Sequence, residues 1–252
     1  MKRFFQRLLK EIEYITTKEW TLNDTGNFWD SIADYDDINE KTYSYSRRFV
    51  DGYRLCSIPD NSYILDICAR TGNGTKFFYE KGKVRKSVCA DVSSVFQNIC
   101  SSNLRKYNIP FETLLFKKYR LPFTEREFDA IICFETVEHF SKPAIFINEL
   151  YRLLKPGGEM LLTTPNFLWG PIHWMAAVFN FHHSEGPHRF LRRKNLVSII
   201  IDAGFKIIKE ASTVIIPGGP QSIIRFGEYL EKKLPFYFIS LLALRRILIC
   251  QK

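Results

Sequence analysis

Two aspartates each close an apolar, strand-like run: Asp66 in YILDICARTGNGT and Asp91 in SVCADVSS. A carboxylate at the end of such a strand can accept both hydroxyls of a ribose. It could equally cap the first turn of the next helix. After Asp66 the chain enters a turn of the kind that brings backbone close to a small molecule. Such turns favour glycine, because the chain must bend sharply and approach closely. Gly72 and Gly74 supply that freedom, whereas the earlier positions are Cys68 and Arg70. A cysteine there requires either a negative φ or a strained backbone. The long cation of Arg70 could obstruct a pocket, swing into solvent, or pair with an anionic group. Its direction therefore discriminates: inward favours a lost site, outward a working one.

A second group of candidates lies in CFETVEHF. His139 titrates near neutrality and could take a proton from a hydroxyl. It could also simply cap or pack the turn. Further on, His188 and Arg189 follow Gly186-Pro187, and an arginine there could bind a carboxylate or phosphate. His182, His183 and His188 are conceivable metal ligands. No carboxylate or cysteine pattern accompanies them, so no metal is expected.

These residues need a scaffold, and the hydrophobic pattern supplies one. Strands are expected at Tyr63–Ile67, Ser87–Val92, Phe111–Phe116, Phe128–Phe134 and Glu159–Thr164. Helices are expected at 74–81, Ser94–Tyr107 and Pro143–Leu154, the last stopped by Lys155-Pro156-Gly157-Gly158. Alternating strands and helices imply right-handed crossovers and a parallel sheet, whose ligands bind beyond the carboxyl ends of the strands. The loops after Asp66, Asp91 and Phe134 occupy those ends. Past Pro165 the rhythm breaks into an aromatic insertion at about 167–191. A helix at Lys194–Ala203, a strand in FKIIKEASTVII, a helix at Ser222–Leu234 and a closing strand in RRILICQK follow.

The stretch LPFTEREFDAIICFETVEHFSKPAIFINELYRLLKPGGEMLLTTPN is similar to the second half of the core of class I S-adenosylmethionine-dependent methyltransferases. The pieces are Phe128-Asp129, Glu138-His139 and Leu154–Gly158, at the family's spacing. The likeness runs from about Tyr63 to Asn166. A weaker match through SEGPHRFLRRKNLVSIIIDAGFKII resembles methyltransferases of the ubiquinone-biosynthesis type and relatives in glycan and lipid pathways. The resemblance implies an α/β, Rossmann-like, seven-stranded and mostly parallel sheet with helices on both faces and an antiparallel last strand. It implies S-adenosylmethionine as cofactor. Its binding residues would be Asp66 near the methionine ammonium group, the loop positions Cys68, Arg70 and Gly72, Asp91 and Val92 after strand two, and Phe134 and Glu135 after strand four. His139 becomes the candidate catalytic base, and His188 and Arg189 the candidate acceptor-binding residues.

Three positions depart from that pattern. Cys68 and Arg70 stand where relatives have glycine. Lys117 stands where relatives often have an acid that accepts from the adenine amine, which a lysine cannot do. Backbone groups around Lys118 could still serve. The expected activity is O-methylation of a small glycan- or lipid-linked acceptor. The alternative is a non-catalytic protein that keeps the fold with an altered pocket.

Residues 1–60 read as a helical cap and 61–252 as the methyltransferase domain. Within the cap, Tyr43, Tyr45, Arg47 and Arg48 could close over the cofactor or belong to a helix packed on the sheet. The net charge of +9 is spread without a long basic run, so no nucleic-acid partner is expected. The six cysteines form no CxxC pair, which reads as reduced thiols in a cytoplasmic protein. No window approaches the ~20 apolar residues of a membrane span. The segment FYFISLLAL, flanked by Lys232, Lys233, Arg245 and Arg246, could touch a bilayer surface.

Overall fold

A computed structural model describes residues 2–32, 40, 42–181 and 183–252. Its seven strands are β1 (Ser62–Ile67), β2 (Val84–Asp91), β3 (Phe111–Leu115), β4 (Phe128–Phe134), β5 (Leu154–Pro165), β6 (Lys206–Thr213) and β7 (Arg245–Gln251). They form one sheet in the order β3-β2-β1-β4-β5-β7-β6. Strands β1 to β5 pair in parallel, and β7 runs antiparallel to both β5 and β6. The expected sheet and its reversed last strand are therefore both present.

The helices are α1 (Lys2–Thr16), α2 (Leu22–Asp30), α3 (Tyr43–Leu55), α4 (Asn73–Glu80), α5 (Ser94–Lys106), α6 (Pro143–Leu153), α7 (Gly170–Val178), α8 (Arg193–Asp202), α9 (Gln221–Lys233) and α10 (Phe236–Leu242). Side chains of a strand alternate between the two faces of a sheet, and each face here carries its own apolar core. On one face Leu65, Ile67, Ile131 and Cys133 pack with Phe146, Ile147 and Leu150 of α6 and Leu196 and Ile200 of α8. On the other, Ile64, Ile132 and Phe134 pack with Tyr45 and Phe49 of α3 and Phe78 of α4. The helix carrying Tyr43 to Arg48 thus packs over the sheet face. Complete burial of one such side chain is worth ~1.5–3 kcal/mol.

Three details differ from the sequence expectation. Strand β5 begins at Leu154, where Phe128 pairs with Leu154 before the register shifts. The Lys-Pro-Gly-Gly segment ends α6, with Gly157 at a φ of 76°, yet it stays within the strand. The aromatic insertion contains a helix, α7, which opens on Gly170-Pro171, and proline is well suited to a first turn. The segment FYFISLL forms α10.

Candidate active site

The left-handed backbone of the first loop survives without its glycines. Cys68 and Arg70 have φ values of 56° and 51°, and Glu135 after β4 has 50°. Each such non-glycine residue costs ~1–3 kcal/mol, and strain of this kind gathers at functional sites. At Gly72, with φ of 82°, an added Cβ would stand 2.9 Å from Cys100 Sγ. At Gly74 it would stand 3.1 Å from Asp66 Oδ2. Glycine remains where the helix must pack closely on its surroundings.

Arg70 turns inward. Its guanidinium lies 4.3 Å from the ring centre of Trp29 and 5.0 Å from that of Phe96. Its backbone N–H donates to Asp91 Oδ2 at 2.9 Å, and Ser93 N–H donates to Asp91 Oδ1 at 2.8 Å. Burial pushes the Asp91 carboxyl up to about 6, against the opposing pull of these amides. Each carboxylate oxygen keeps a second lone pair. Asp91 lines a cavity together with Cys68, Arg70, Val92, Phe96, Glu135 and His139.

Helix α2 roofs this cavity through Thr25 and Trp29. It is fastened at both ends. Asp30 accepts from the Val95 N–H at 3.1 Å and from the hydroxyls of Ser93 and Ser94, placing an anion at the start of α5. Trp20 Nε1 and Thr25 Oγ1 both donate to the His139 carbonyl, at 2.8 and 3.2 Å. Gly26 permits the contact, since a Cβ there would stand 2.3 Å from the Val92 carbonyl oxygen. Lys117 Nζ donates to that same oxygen at 2.7 Å.

A second, larger cavity adjoins the first and shares Trp29, Arg70, Glu135 and His139. Its other walls are strongly polar and include Arg48, Glu138, His173, Glu185 and Arg245. Arg245 Nε donates to Glu135 Oε1 at 2.7 Å, and Arg48 Nη2 lies 3.8 Å from Glu135 Oε2. Burial alone would raise the Glu135 carboxyl, but Arg245 and Arg48 hold it down to about 2. Glu138 goes the other way. Burial and the neighbouring Glu135 charge push it well above the usual carboxylate range. Thr164 Oγ1 donates to Glu138 Oε2 at 2.9 Å, while Oε1 has no hydrogen-bond partner.

His139 stands between the cavities. Its ring meets Trp29 edge-on at 5.2 Å, and its Nε2 is 3.6 Å from Glu185 Oε2. Its buried Nδ1 has no hydrogen-bond partner. Burial lowers it to about 4, so the imidazole is neutral at pH 7. Glu185 also lies 3.7 Å from His173 Nδ1. The Arg189 N–H donates to the Glu138 carbonyl at 2.7 Å, docking the insertion on this turn and setting His188 6.1 Å from His139, ring to ring.

The structure thus gathers Cys68, Arg70, Asp91, Val92, Glu135 and His139 around one cavity. Asp66 is buried elsewhere, accepting from Thr75 N and Oγ1 at 3.0 and 2.8 Å, and burial raises it to about 7. Gly72 starts α4, Phe134 belongs to the core, and Lys118 is exposed. His188 and Arg189 line a neighbouring groove. His182 lies outside the described residues. Among the described residues, no three His, Cys, Asp or Glu side chains are arranged to hold a metal ion. Sequence reasoning did not single out Trp29, Glu185 or Arg245. The available signal was an arginine pair heading the apolar strand ILIC.

This sheet order, with its reversed last strand and an acid at the end of β2, defines the S-adenosylmethionine-dependent methyltransferase class. The donor set also fits that cofactor, because Asp91 faces a cavity walled by Val92 and Phe96. A family profile described as a methyltransferase domain matches residues 42–210, and the chain belongs to that family. Over 89 residues the chain is 33% identical to a ubiquinone biosynthesis O-methyltransferase of Pseudomonas paraeruginosa. That match covers 32% of this chain and 38% of the relative, so the chain spans well under half of the relative's length. Among solved structures, the 4+2 cyclase SpnF is similar with a TM-score of 0.68 at 15% identity, over 93% of this chain and 97% of that one. The N1-methyltransferase of Burkholderia thailandensis that acts on 1,6-didemethyltoxoflavin, solved with S-adenosylhomocysteine, gives a TM-score of 0.60 at 13% identity. It covers 90% of this chain and 86% of its own. At these identities the structural likeness speaks for the fold alone.

Proposed function

We propose that the protein transfers a methyl group from S-adenosylmethionine to an oxygen of a small glycan- or lipid-linked acceptor. The observation that carries the reading is the pair of adjoining cavities with His139 between them. S-adenosylmethionine, when bound, supplies a methyl group on a sulfonium sulfur, and its transfer depends mainly on in-line positioning. Asp91 would accept from the ribose hydroxyls, and Val92 and Phe96 would flank the adenine. The polar cavity suits a hydroxyl-bearing acceptor, and neutral His139 would take the hydroxyl proton on its free Nδ1. Glu185 would then stabilise the imidazolium. His188 and Arg189 would bind the acceptor at the groove. The helical cap of residues 1–60 supplies the roof, and residues 61–252 form the methyltransferase unit. Cytoplasmic location, with peripheral membrane contact through the basic and aromatic C-terminal segment, completes the proposal.

Calorimetric titration with S-adenosylhomocysteine tests it. Saturable binding is expected, and absence of binding at millimolar ligand would overturn it. A second reading has its own support, because Arg70 stacks inside the cavity on Trp29 and Phe96. In that reading the fold is a binding module without turnover, and the arginine fills cofactor space. Binding by Arg70→Gly but not by the wild type would favour the module. Turnover by the wild type, lost in Asp91→Ala, would refute it.

A further inference from the structure

We propose that one face of the protein, beside the candidate active site, docks on the surface of an anionic phospholipid membrane. The face is formed by α1, the turn at Phe167–Trp169, α7 and α10. Scattered exposed apolar residues are ordinary, but contiguous ones mark interaction surfaces. On α1, Phe5, Leu9 and Ile12 recur at helical spacing and are 55%, 65% and 40% exposed. Another side of the same helix is docked, with Phe4 5.6 Å from Phe179 and Arg7 Nε donating to the Val178 carbonyl at 3.2 Å. The helix therefore has one packed apolar stripe and one bare one.

The bare surface continues through Ile15 into a groove that Leu168, Trp174 and Phe190 help to line. Phe167 and Leu168 separate it from a second groove, walled on its far side by Phe236, Tyr237 and Leu241. In α10 only Ile239 is buried, while Phe236, Tyr237, Phe238, Leu241 and Leu242 are exposed. Trp169 Nε1 donates to the Leu242 carbonyl at 2.9 Å, and Asn166 Nδ2 to the Ser240 carbonyl at 2.9 Å, which joins α10 to the start of the insertion.

Charge identifies the occupant. Four arginines and no carboxylate line the two grooves. Arg193 and Arg246 are paired with Glu210, but Arg189 and Arg192 are in no ion pair among the described residues. Arg192 lies 4.9 Å over the Phe167 ring. A guanidinium beside an apolar aromatic groove matches a lipid phosphate above its acyl chains. A symmetric dimer through this face would set each copy's arginines against the other's, which disfavours a second copy. Among the described residues no helix is long and apolar enough to cross a membrane, so the contact is peripheral. The purpose of such a face rests on the lipid-linked reading of the acceptor, but its test does not.

The full chain is sedimented with phosphatidylcholine vesicles and with phosphatidylcholine–phosphatidylglycerol vesicles in a two-to-one ratio. Strong co-sedimentation is expected only with the second. The double variant Phe236→Glu/Tyr237→Glu should abolish it, and Arg189→Gln/Arg192→Gln should weaken it by about fivefold for each arginine removed. All four positions are exposed, and unchanged thermal unfolding would confirm that the variants fold. No sedimentation with anionic vesicles, or sedimentation unaffected by either variant, would overturn the proposal. So would a wild-type dimer in light scattering that Phe236→Glu/Tyr237→Glu dissociates, which would give the face to a second copy. Binding of S-adenosylhomocysteine should persist in Phe236→Glu/Tyr237→Glu. Its loss in the wild type would bear on the proposed function and leave the vesicle result standing.

Discussion

The two adjoining cavities share four residues and little else in character. The smaller is walled by Trp29, Phe96 and Phe140, and Asp91 is the carboxylate it does not share with the larger. The larger collects three arginines, three glutamates and three histidines. The first is shaped by backbone strain and close packing, the second by buried charges that hold one another in place. The difference teaches where each is vulnerable. A change of shape should disturb the first, and a change of charge the second.

The sharpest break is expected in the charged cavity. Arg245 is 1% exposed and is the nearer of the two cations beside Glu135. Removing one partner of a buried pair costs ~3–5 kcal/mol, so Arg245→Met should lower the midpoint of urea unfolding markedly. The double variant Arg245→Met/Glu135→Leu should recover only part of the loss, because buried Arg48 then loses Glu135 as its counter-charge. Lack of recovery would show that packing, rather than charge, sets the cost.

Acid should separate the cavities next. The carboxyl of Glu135 is depressed to about 2 from its ordinary 4.5, so its stabilisation is complete above 4.5 and is lost as pH falls toward 2. That loss is on the order of 3 kcal/mol. Asp91 is raised to about 6 and opposes it, because ionising it between pH 4 and 6 costs stability. Glu135→Gln should flatten the acid limb of stability against pH, and Asp91→Asn should steepen it.

Within the smaller cavity, Asp91→Ala should weaken S-adenosylhomocysteine by about 10- to 100-fold in calorimetry, the range for losing hydrogen bonds to a charged group. The smallest effect is expected at Cys68. Glycine there relieves the left-handed strain but adds chain entropy, so Cys68→Gly should change stability by no more than about 1 kcal/mol, toward stabilisation. A destabilisation of more than that would mean the thiol's packing outweighs the strain.

The first five strands were readable because the apolar runs from Tyr63 to Thr164 are short, separate and bounded by turns. β7 was readable as a closing strand because ILIC is too apolar for a surface, whereas its reversal followed only from the resemblance. α7 and α10 were harder, since FYFISLL and GPIHWMAAV are apolar without the periodicity that marks a helix. In the site, Asp91, His139 and the loop positions announced themselves by local pattern. Arg245, Glu185 and Trp29 did not. Each reaches the cavity from a distant part of the chain, and only the folded sheet brings β7, the insertion and α2 together. The loop left two outcomes open at Cys68, a negative φ or a strained backbone, and the strained one is present. The backbone there follows its surroundings, and Cys68 and Arg70 bear the strain.

The fastening of α2 has a consequence for time rather than affinity. With Gly26 against the Val92 carbonyl and Asp30 and Trp20 tied down at either end, opening the roof requires these contacts to break together. Exchange of whatever lies beneath it then waits on that motion. Loosening the clasp with Asp30→Ala should shorten the residence of a bound molecule more than it slows its arrival.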